Sequence, residues 1–353
     1  MVSIDELLQV AYENGASDVH ITVGVPPKYR VNGALLDMNY PRLMGEDTEV
    51  MIKSIMKPHQ LEQLKENGET DFSYSIANMA RFRVNAFNQR GSLAAALRLV
   101  GTEIPKSEAL GIPKSVIDLH KKKRGLVLVT GPTGSGKSTS LASLIDRIND
   151  NFQSHIITLE DPIEYVHRHK KSMVNQREIG TDSNSYANAL RAALREDPDV
   201  ILVGEMRDLE TISTAITAAE TGHLVFSTLH TIGAASTIDR IIDVFPPHQQ
   251  QQIRVQLSMV LEAVISQQLL PTMDGKGRVA AFEVMLANNA IKNLIREQKT
   301  HQIDSIIQTS KSAGMCTMDD YLYDLTMRGI ISMDKAMSYA KDQPSLGKKF
   351  HIY

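Results

Sequence analysis

The sequence predicts an α/β protein with two domains, the larger of which is built on a mainly parallel sheet. Three observations support this fold class. From Gly125 onward, short runs that are apolar on both faces alternate with helical stretches, a pattern typical of buried parallel strands. Within residues 80–88, Phe82, Val84 and Ala86 alternate with Arg81, Arg83 and Asn85, which indicates a half-exposed strand. Between these regions, residues 101–114 are rich in proline and glycine and are predicted to form a linker.

The domain boundaries follow from where these patterns change. We expect a smaller N-terminal α+β domain, a linker, and a larger α/β domain that ends in a helical region, over residues 1–100, 101–114 and 115–353, respectively. In the smaller domain, Asn32 and Gly33 predict a tight hairpin turn.

The secondary structure of the larger domain follows from its periodicity. Four apolar runs predict its central strands, at residues 126–129, 155–159, 200–203 and 224–229. Residues 247–270 are predicted to form one long amphipathic helix, and a further strand is expected near residues 279–285.

Composition and charge exclude several classes of protein. The 353 residues are enough for two domains with separate cores. The formal net charge of -3 gives no general attraction to nucleic acid. A single cysteine, Cys316, excludes an internal disulfide framework and a metal site made of several thiolates. Because the sequence has neither a signal-peptide pattern nor an apolar run of about 18 residues, we expect a cytoplasmic protein without direct membrane insertion.

Residues 131–138 read Gly-Pro-Thr-Gly-Ser-Gly-Lys-Ser and match the phosphate-binding pattern called Walker A. The pattern follows a predicted strand and begins a predicted helix, which is the context it requires. Its glycines let backbone N–H groups turn toward a phosphate, and the helix N-terminus favours negative charge. Lys137 is expected to reach the β- and γ-phosphates of ATP, and the Ser138 hydroxyl is expected to bind Mg²⁺. The predicted nucleotide-binding residues are Gly131, Pro132, Thr133, Gly134, Ser135, Gly136, Lys137, Ser138 and Thr139.

A carboxylate for hydrolysis is predicted at Glu205, just beyond the apolar run at residues 200–203. Ligands of α/β sheets bind at the carboxyl ends of strands, so this side chain is placed to polarise the attacking water or to hold a water ligand of the metal. Gly204 stands where the usual Walker B aspartate would be, which leaves direct metal ligation open. Two alternatives also stay open: an exposed glutamate at a strand end, and a protein that binds ATP as a switch without turnover.

Four segments, in this order, resemble the secretion and pilus ATPase superfamily. They are the Walker A segment and residues 156–165, 194–208 and 221–231, which are similar to its Asp box, Walker B signature and His box. Residues 16–20 are also similar to the opening of the family. The resemblance implies a RecA-like fold for the larger domain and a PAS-like fold for the smaller one. It further implies a homohexameric ring that uses ATP and Mg²⁺ as a motor.

The same resemblance assigns roles to side chains near the phosphates. Glu164 is implied to face the nucleotide, although helix capping by the nearby Asp161 is a plainer explanation for this acidic segment. Of the two histidines that bracket the strand at residues 224–229, His230 is the candidate for sensing the γ-phosphate, because it follows the carboxyl end of the strand. His223 is equally well explained as a structural residue.

Positive charge for the transition state is predicted on the smaller domain. Arg81 and Arg83 alternate with apolar residues on one predicted strand, and Arg98 lies on the returning strand. Each planar guanidinium group can donate two hydrogen bonds to the oxygens of a phosphate. In the ring that the resemblance implies, this face would close over the ATP of a neighbouring subunit. The alternatives are a solvated sheet face, or other arginines near the site, namely Arg195, Arg207 and Arg240.

Residues 290–297 read Ala-Ile-Lys-Asn-Leu-Ile-Arg-Glu and resemble the C-terminal motif of the retraction ATPases of this superfamily, which usually have Arg where Lys292 stands. This implies a motor for type IV pilus retraction and twitching motility, held at the inner membrane by a pilus platform protein. Extension and secretion members generally carry a longer N-terminal region and a four-cysteine zinc site, but they stay an alternative. A nucleic-acid translocase is a second one, although the densest basic run, residues 121–124, is better explained as a solvated domain edge; no nucleic-acid partner is expected.

Overall fold

The computed structural model describes residues 2–76, 79–101 and 103–352. Residue 102 of the expected linker therefore lies outside the described residues. The chain forms two compact units: an N-terminal unit, Met1–Glu103 with Pro162–Val166, and a large unit, Ile104–Asp161 with His167–Tyr353. Within the described ranges, none of the helices combines the length and apolar character needed to span a membrane.

The N-terminal unit is built on a six-stranded antiparallel sheet with the strand order β3-β2-β1-β6-β5-β4. Its elements are α1 (Ile4–Glu13), β1 (Asp18–Ile21), β2 (Lys28–Val31), β3 (Ala34–Asp37), α2 (Gly45–Ser54), α3 (Pro58–Asn67), β4 (Glu69–Ile76), β5 (Ala80–Gln89) and β6 (Ser92–Val100). Asn32 and Gly33 have φ angles of 50° and 85° and connect paired residues Val31 and Ala34, which confirms the predicted hairpin turn.

Strand β5 shows how the sequence pattern divides the faces of this sheet. Phe82, Val84 and Ala86 are buried in the core of the unit, whereas Arg81 is half-buried and Arg83 is exposed on the other face. The core is completed by helix α1, whose Leu7 and Leu8 are fully buried. The alternation of apolar and polar residues over 80–86 therefore predicted the correct face for both arginines.

The large unit is a layered α/β structure around a seven-stranded sheet with the strand order β13-β12-β7-β11-β10-β8-β9. Its strands are β7 (Gly125–Thr130), β8 (His155–Glu160), β9 (Met173–Glu178), β10 (Val200–Val203), β11 (Leu224–Leu229), β12 (Leu261–Pro271) and β13 (Arg278–Leu286). Its helices are α4 (Lys114–Ile117), α5 (Lys137–Asn151), α6 (Tyr186–Ala193), α7 (Leu209–Glu220), α8 (Ala234–Asp243), α9 (Pro247–Val260), α10 (Asn289–Arg296), α11 (Ile303–Thr309), α12 (Met318–Met327), α13 (Met333–Tyr339) and α14 (Gln343–Lys349).

Six of these strands run parallel, and β13 pairs antiparallel with β12 at one edge. The packing of β7 explains why its sequence is apolar throughout. Leu126 and Leu128 pack into one hydrophobic cluster, whereas Val127 and Val129 pack into a second cluster on the opposite face. Both faces are thus covered, as a parallel sheet requires. The predicted fold class, an α/β domain on a mainly parallel sheet beside a smaller α+β unit, is confirmed.

Two elements of the large unit differ from the sequence-based expectation. The helix expected over residues 247–270 ends at Val260, and the chain continues as β12, paired with β7 and β13. Local spacing suggested a helix there, but burial between two strands decided the conformation, since strand preference depends strongly on tertiary context. Strand β9 was not predicted, because its alternation of polar residues at the sheet edge carries little hydrophobic signal.

Candidate nucleotide-binding site

The Walker A segment connects β7 to α5 as a glycine-rich loop. Gly131, Gly134 and Gly136 have φ angles of 140°, 78° and 88°, which L-residues with side chains rarely adopt. A Cβ atom at Gly131 would also overlap the carbonyl oxygen of Gln267, and one at Gly136 would lie 2.9 Å from Gln267 Nε2. The two outer glycines are therefore required both by backbone conformation and by the close approach of strand β12.

The loop presents polar groups suited to a phosphate. Lys137 is buried, and its Nζ donates hydrogen bonds to the carbonyl oxygens of Gly131 at 2.7 Å and Pro132 at 3.0 Å. In the described part of the chain, the buried Ser135 Oγ has no hydrogen-bond partner. Ser138 and Thr139 lie in the first turn of α5. A cradle with an orphaned hydroxyl, a lysine and a helix N-terminus fits a bound phosphate group.

Glu205 and His230 emerge from neighbouring strands, β10 and β11, and contact each other. Glu205 Oε1 lies 3.2 Å from His230 Nε2, and Glu205 Oε2 lies 2.7 Å from Arg207 Nη2. The other ring nitrogen of His230, Nδ1, lies 3.5 Å from Thr133 Oγ1 in the Walker A loop. The structure thus connects the predicted carboxylate, the predicted histidine and the phosphate loop within the large unit.

The surroundings of Glu205 keep its carboxylate charged. Burial acts to raise the pKa of Glu205, but the hydrogen bond from Arg207 and the charges of His230 and Arg207 outweigh it, so the pKa lies below its ordinary value. The same hydrogen bond, which Arg207 donates to Glu205, also raises the pKa of Arg207. Glu205 is therefore ionised at neutral pH and can accept a hydrogen bond from water.

The absence of a Walker B aspartate has a steric reason. A Cβ atom at Gly204 would lie 2.8 Å from the Tyr186 hydroxyl and 3.0 Å from the Leu159 carbonyl oxygen. Burial raises the pKa of Tyr186, and the charges of Asp161 and Glu205 add to the effect. Among the residues with assigned structure, no group of three or more histidine, cysteine or acidic side chains could hold a metal. Ser138, the residue expected to bind Mg²⁺, lies in the first turn of α5, directly after Lys137.

The structure distinguishes the two histidines of the His box. His223 Nδ1 lies 2.9 Å from the Ala218 carbonyl oxygen and 3.2 Å from Thr221 Oγ1, at the end of α7. These contacts suit a structural role. His230, at the opposite end of β11, is the one that contacts Glu205.

The Asp box is divided between the two units. Glu160 and Asp161 belong to the large unit, whereas Pro162–Val166 belong to the N-terminal unit. There Tyr165 forms a parallel bridge with Gly101, and Glu164 lines a cavity together with Arg83 and Arg98.

The arginines on the N-terminal sheet are neighbours. Arg83 and Arg98 are cross-strand partners on β5 and β6, and Arg81 lies two residues earlier on β5. Arg98 Nε lies 2.8 Å from Asp18 Oδ1, and Arg83 Nε lies 3.9 Å from Asp71 Oδ1. The predicted catalytic residues thus form two groups: Glu205 with His230 in the large unit, and Glu164 with Arg83 and Arg98 in the N-terminal unit.

Sequence reasoning named Arg207 and Arg240 as alternative candidates without ranking them, and both line one cleft with Glu205 and His230. It missed Gln267, whose side chain reaches the Walker A loop from β12. The feature of the sequence that could have revealed Gln267 is a polar triplet, residues 266–268, inside an otherwise apolar run.

The C-terminal motif forms helix α10 as predicted. Ile291 and Ile295 are fully buried, whereas Asn293, Arg296 and Glu297 are exposed. Asn288 caps the helix by accepting a hydrogen bond from the backbone N–H of Ile291 at 2.9 Å.

Comparison with known proteins identifies the family of the chain. The profile of the family described as Type II/IV secretion system protein matches residues 1–338. A twitching motility protein of Neisseria gonorrhoeae is 52% identical over 91% of this chain and 86% of its own. The type IV pilus retraction ATPase PilT of Pseudomonas aeruginosa is 50% identical over 96% of this chain and 98% of its own.

A solved structure supports the same assignment. The crystal structure of the pilus retraction motor PilT with bound ADP has a TM-score of 0.91 and 53% sequence identity, and the match covers 99% of this chain and 100% of that one. The chain therefore belongs to the Type II/IV secretion system protein family, and it is similar over nearly its whole length to the pilus retraction ATPase PilT.

Proposed function

We propose that this protein is a motor ATPase that hydrolyses ATP, with Mg²⁺, to power retraction of type IV pili and hence twitching motility. The observation that carries the proposal is the contact chain from the Walker A loop through His230 to the ionised Glu205. A carboxylate at the carboxyl end of a parallel strand, beside a phosphate cradle, is the arrangement that water attack on a phosphoanhydride needs. The similarity to a pilus retraction motor supplies the cellular role.

In this proposal, the site residues of the large unit have separate roles. The Walker A loop holds the phosphates, and Lys137 transfers its contacts from Gly131 and Pro132 to phosphate oxygens when ATP binds. Glu205 orients and polarises the attacking water, because its charged carboxylate accepts a hydrogen bond from it. His230 lies between this carboxylate and Thr133, where it reports the presence of the γ-phosphate. Bound Mg²⁺, held by Ser138, would neutralise charge on the phosphate oxygens.

The N-terminal unit supplies the remaining charge in a ring of identical subunits. In a homohexamer, Arg81, Arg83 and Arg98 would stabilise the charge that develops on the ATP of a neighbouring subunit, as arginine fingers do. Glu164 lines the same cavity as Arg83 and Arg98 and would hold these side chains in place. Release of these contacts after hydrolysis would let the N-terminal domain, residues 1–100, rotate about the linker at residues 101–114.

The partner in this proposal is a platform protein of the pilus machinery at the inner membrane. The motor would be a cytoplasmic protein, peripheral to that membrane, and would not act on nucleic acid. The exposed residues of α10, which include Asn293 and Arg296, are available for contacts with partners or with other subunits. Lys292, half-buried on the same helix, keeps the positive charge that retraction ATPases usually have there.

The test is the substitution Glu205→Gln, which keeps the shape of the side chain and removes its charge. We expect phosphate release to fall at least about a hundredfold, while the Kd for ATP changes less than about threefold. The matched control is Glu210→Gln, because Glu210 is an exposed glutamate five residues later, ion-paired with Arg191. In cells that lack the retraction motor, the wild-type gene should restore twitching and the Glu205→Gln gene should not.

Two results would count against the proposal in different ways. Equal hydrolysis by wild type and Glu205→Gln would remove Glu205 from the mechanism. Failure of the wild-type protein to hydrolyse ATP in any assembly state would leave an ATP switch as the better explanation.

A further inference from the structure

Strand β12 carries three consecutive buried polar residues, Ser266, Gln267 and Gln268, with apolar residues on either side of them. Only 3% of Gln267 is exposed. A buried amide reduces stability unless its polar atoms are hydrogen-bonded, so this position needs a specific explanation.

Both ends of the Gln267 side chain are hydrogen-bonded to the segment that forms the phosphate cradle. Nε2 donates to the Ser135 carbonyl oxygen at 2.8 Å, and Oε1 accepts from Ser140 Oγ at 2.8 Å. The carbonyl oxygen of Ser135 can only accept, which fixes Nε2 on that side, and the Ser140 hydroxyl fixes the other end. The amide therefore has one orientation that satisfies both partners.

The hydrogen bond to Ser135 determines the direction of a neighbouring N–H group. The carbonyl of Ser135 and the N–H of Gly136 belong to one planar trans peptide, so they point in opposite directions. Because Gln267 binds the carbonyl, the N–H of Gly136 is turned away from β12. In a Walker A loop, N–H groups that turn inward in this way are the ones that bind phosphate.

The backbone of Gln267 constrains the same loop. A Cβ atom at Gly131 would overlap its backbone carbonyl oxygen. A Cβ atom at Gly136 would lie 2.9 Å from its side-chain Nε2. The first and last glycines of the loop thus contact one residue, which lies about 130 positions later in the sequence. A packing role alone would be met by an apolar residue of the same length, but it would not bind the Ser135 carbonyl.

We infer that Gln267 is a positioning residue for nucleotide binding, because it holds the Ser135–Gly136 peptide with its N–H toward the phosphate. It does not touch the nucleotide and acts through the loop. This inference rests on the proposed function, since it assumes that the loop binds the phosphates of ATP and ADP.

The test compares two identical substitutions on adjacent residues. Gln267→Met keeps the length of the side chain and removes both hydrogen bonds. Gln268→Met is the matched control, because Gln268 is also buried on β12 but lines a different cavity, beside Lys341. We expect the Kd for ADP, measured by isothermal titration calorimetry, to rise about tenfold in Gln267→Met, which corresponds to about 1.4 kcal/mol. In Gln268→Met it should stay within twofold of wild type.

Steady-state kinetics distinguish a positioning role from a loss of folded protein. In Gln267→Met, the KM for ATP should rise by about the same factor as the Kd, with kcat changed less than about threefold. A purely structural defect would lower the active fraction and hence kcat, and would leave KM and Kd unchanged. That pattern, or a Kd for ADP within twofold of wild type, would overturn the inference.

A milder variant covers the case in which Gln267→Met does not fold. Ser140→Ala removes the hydroxyl that fixes the amide orientation, and we expect it to raise the Kd for ADP severalfold; an unchanged Kd would then overturn the inference. If wild-type protein itself does not bind ADP, the proposed function fails instead, so the two failures are distinguishable.

Discussion

The two units place their charged residues in different ways. In the large unit, Glu205 and His230 follow the ends of adjacent parallel strands and contact each other directly. In the N-terminal unit, the charges lie across the face of an antiparallel sheet, where Arg30, Asp18 and Arg98 are in register on three neighbouring strands.

That row continues to the next strand through Arg83, the cross-strand partner of Arg98. The side chains of Arg83 and Arg98 are 51% and 74% exposed, respectively. Strand ends concentrate polar groups at one point and so build a compact site, whereas a sheet face distributes them over a surface. The first arrangement is suited to chemistry within a unit, and the second to contact with another molecule.

The largest loss of ATPase activity is expected from a substitution in the large unit, at the site formed by the ends of the parallel strands. Lys137→Ala removes the one side-chain cation that the Walker A pattern places on the β- and γ-phosphates, so kcat/KM for ATP should fall at least about a hundredfold. Phosphate release measured over a range of ATP concentrations, including concentrations well below KM, gives this ratio. Lys121→Ala is the control, because Lys121 is exposed and ion-paired with Asp118. A Lys137→Ala protein that retains wild-type turnover would show that the catalytic site lies elsewhere.

A smaller loss of ATPase activity is expected from a substitution on the face of the N-terminal sheet, and this loss depends on assembly of the subunits. Arg83→Gln should lower kcat in the assembled protein about tenfold or more, as loss of an arginine finger does. Its free energy of unfolding should change by less than about 1 kcal/mol, because exposed charges contribute little to stability. Wild-type turnover in Arg83→Gln would leave this row of charges as an ordinary solvated sheet face.

Mixing two variants with reduced ATPase activity sharpens the test. If Arg83 acts on the nucleotide of a neighbouring subunit, assemblies that contain both Arg83→Gln and Glu205→Gln subunits regain activity. Some sites then combine an intact Glu205 with an intact Arg83 from the adjacent subunit. No recovery on mixing would show that the two residues act within the same chain.

The two sites also differ in how far the sequence predicted them. The Walker A loop and Glu205 could be predicted because the residue types, their spacing and the adjacent strands are local in sequence. The faces of Arg81 and Arg83 could be predicted from the alternation along one strand. What local pattern did not reveal was pairing between distant segments.

Gln267 and Glu164 illustrate this limit of local patterns. Gln267 reaches the Walker A loop only because β12 pairs with β7, and its segment has helix-like spacing. Glu164 was assigned to the larger domain because it follows a strand of that domain. It lies in the N-terminal unit because Tyr165 bridges to Gly101. Both placements depend on tertiary contacts that no single stretch of sequence encodes.

The smallest predicted effect concerns a buried carboxylate, and it contrasts with the exposed charges of the N-terminal sheet. Only 1% of Glu283, on β13, is exposed, and its Oε1 accepts a hydrogen bond from the backbone N–H of Ala234, at the start of α8, at 2.7 Å. Burial raises the pKa of Glu283, although the charge of Lys341 opposes this. In the N-terminal unit, burial also acts to raise the pKa of Asp18, but Arg98 lowers it below its ordinary value.

The sign of the pH effect follows from these shifts. A carboxyl group whose pKa is raised by folding binds its proton more tightly in the folded state, so ionisation reduces stability as pH rises from the ordinary pKa to the folded one. In Glu283→Gln the side chain at this position cannot ionise, so the variant does not lose stability in this way. We therefore expect the free energy of unfolding of the variant, relative to wild type, to increase between pH 4 and pH 7, as measured by urea unfolding at several pH values. The opposite trend would mean that Lys341 stabilises the charged form of Glu283, and that this buried group behaves like the half-buried Asp18.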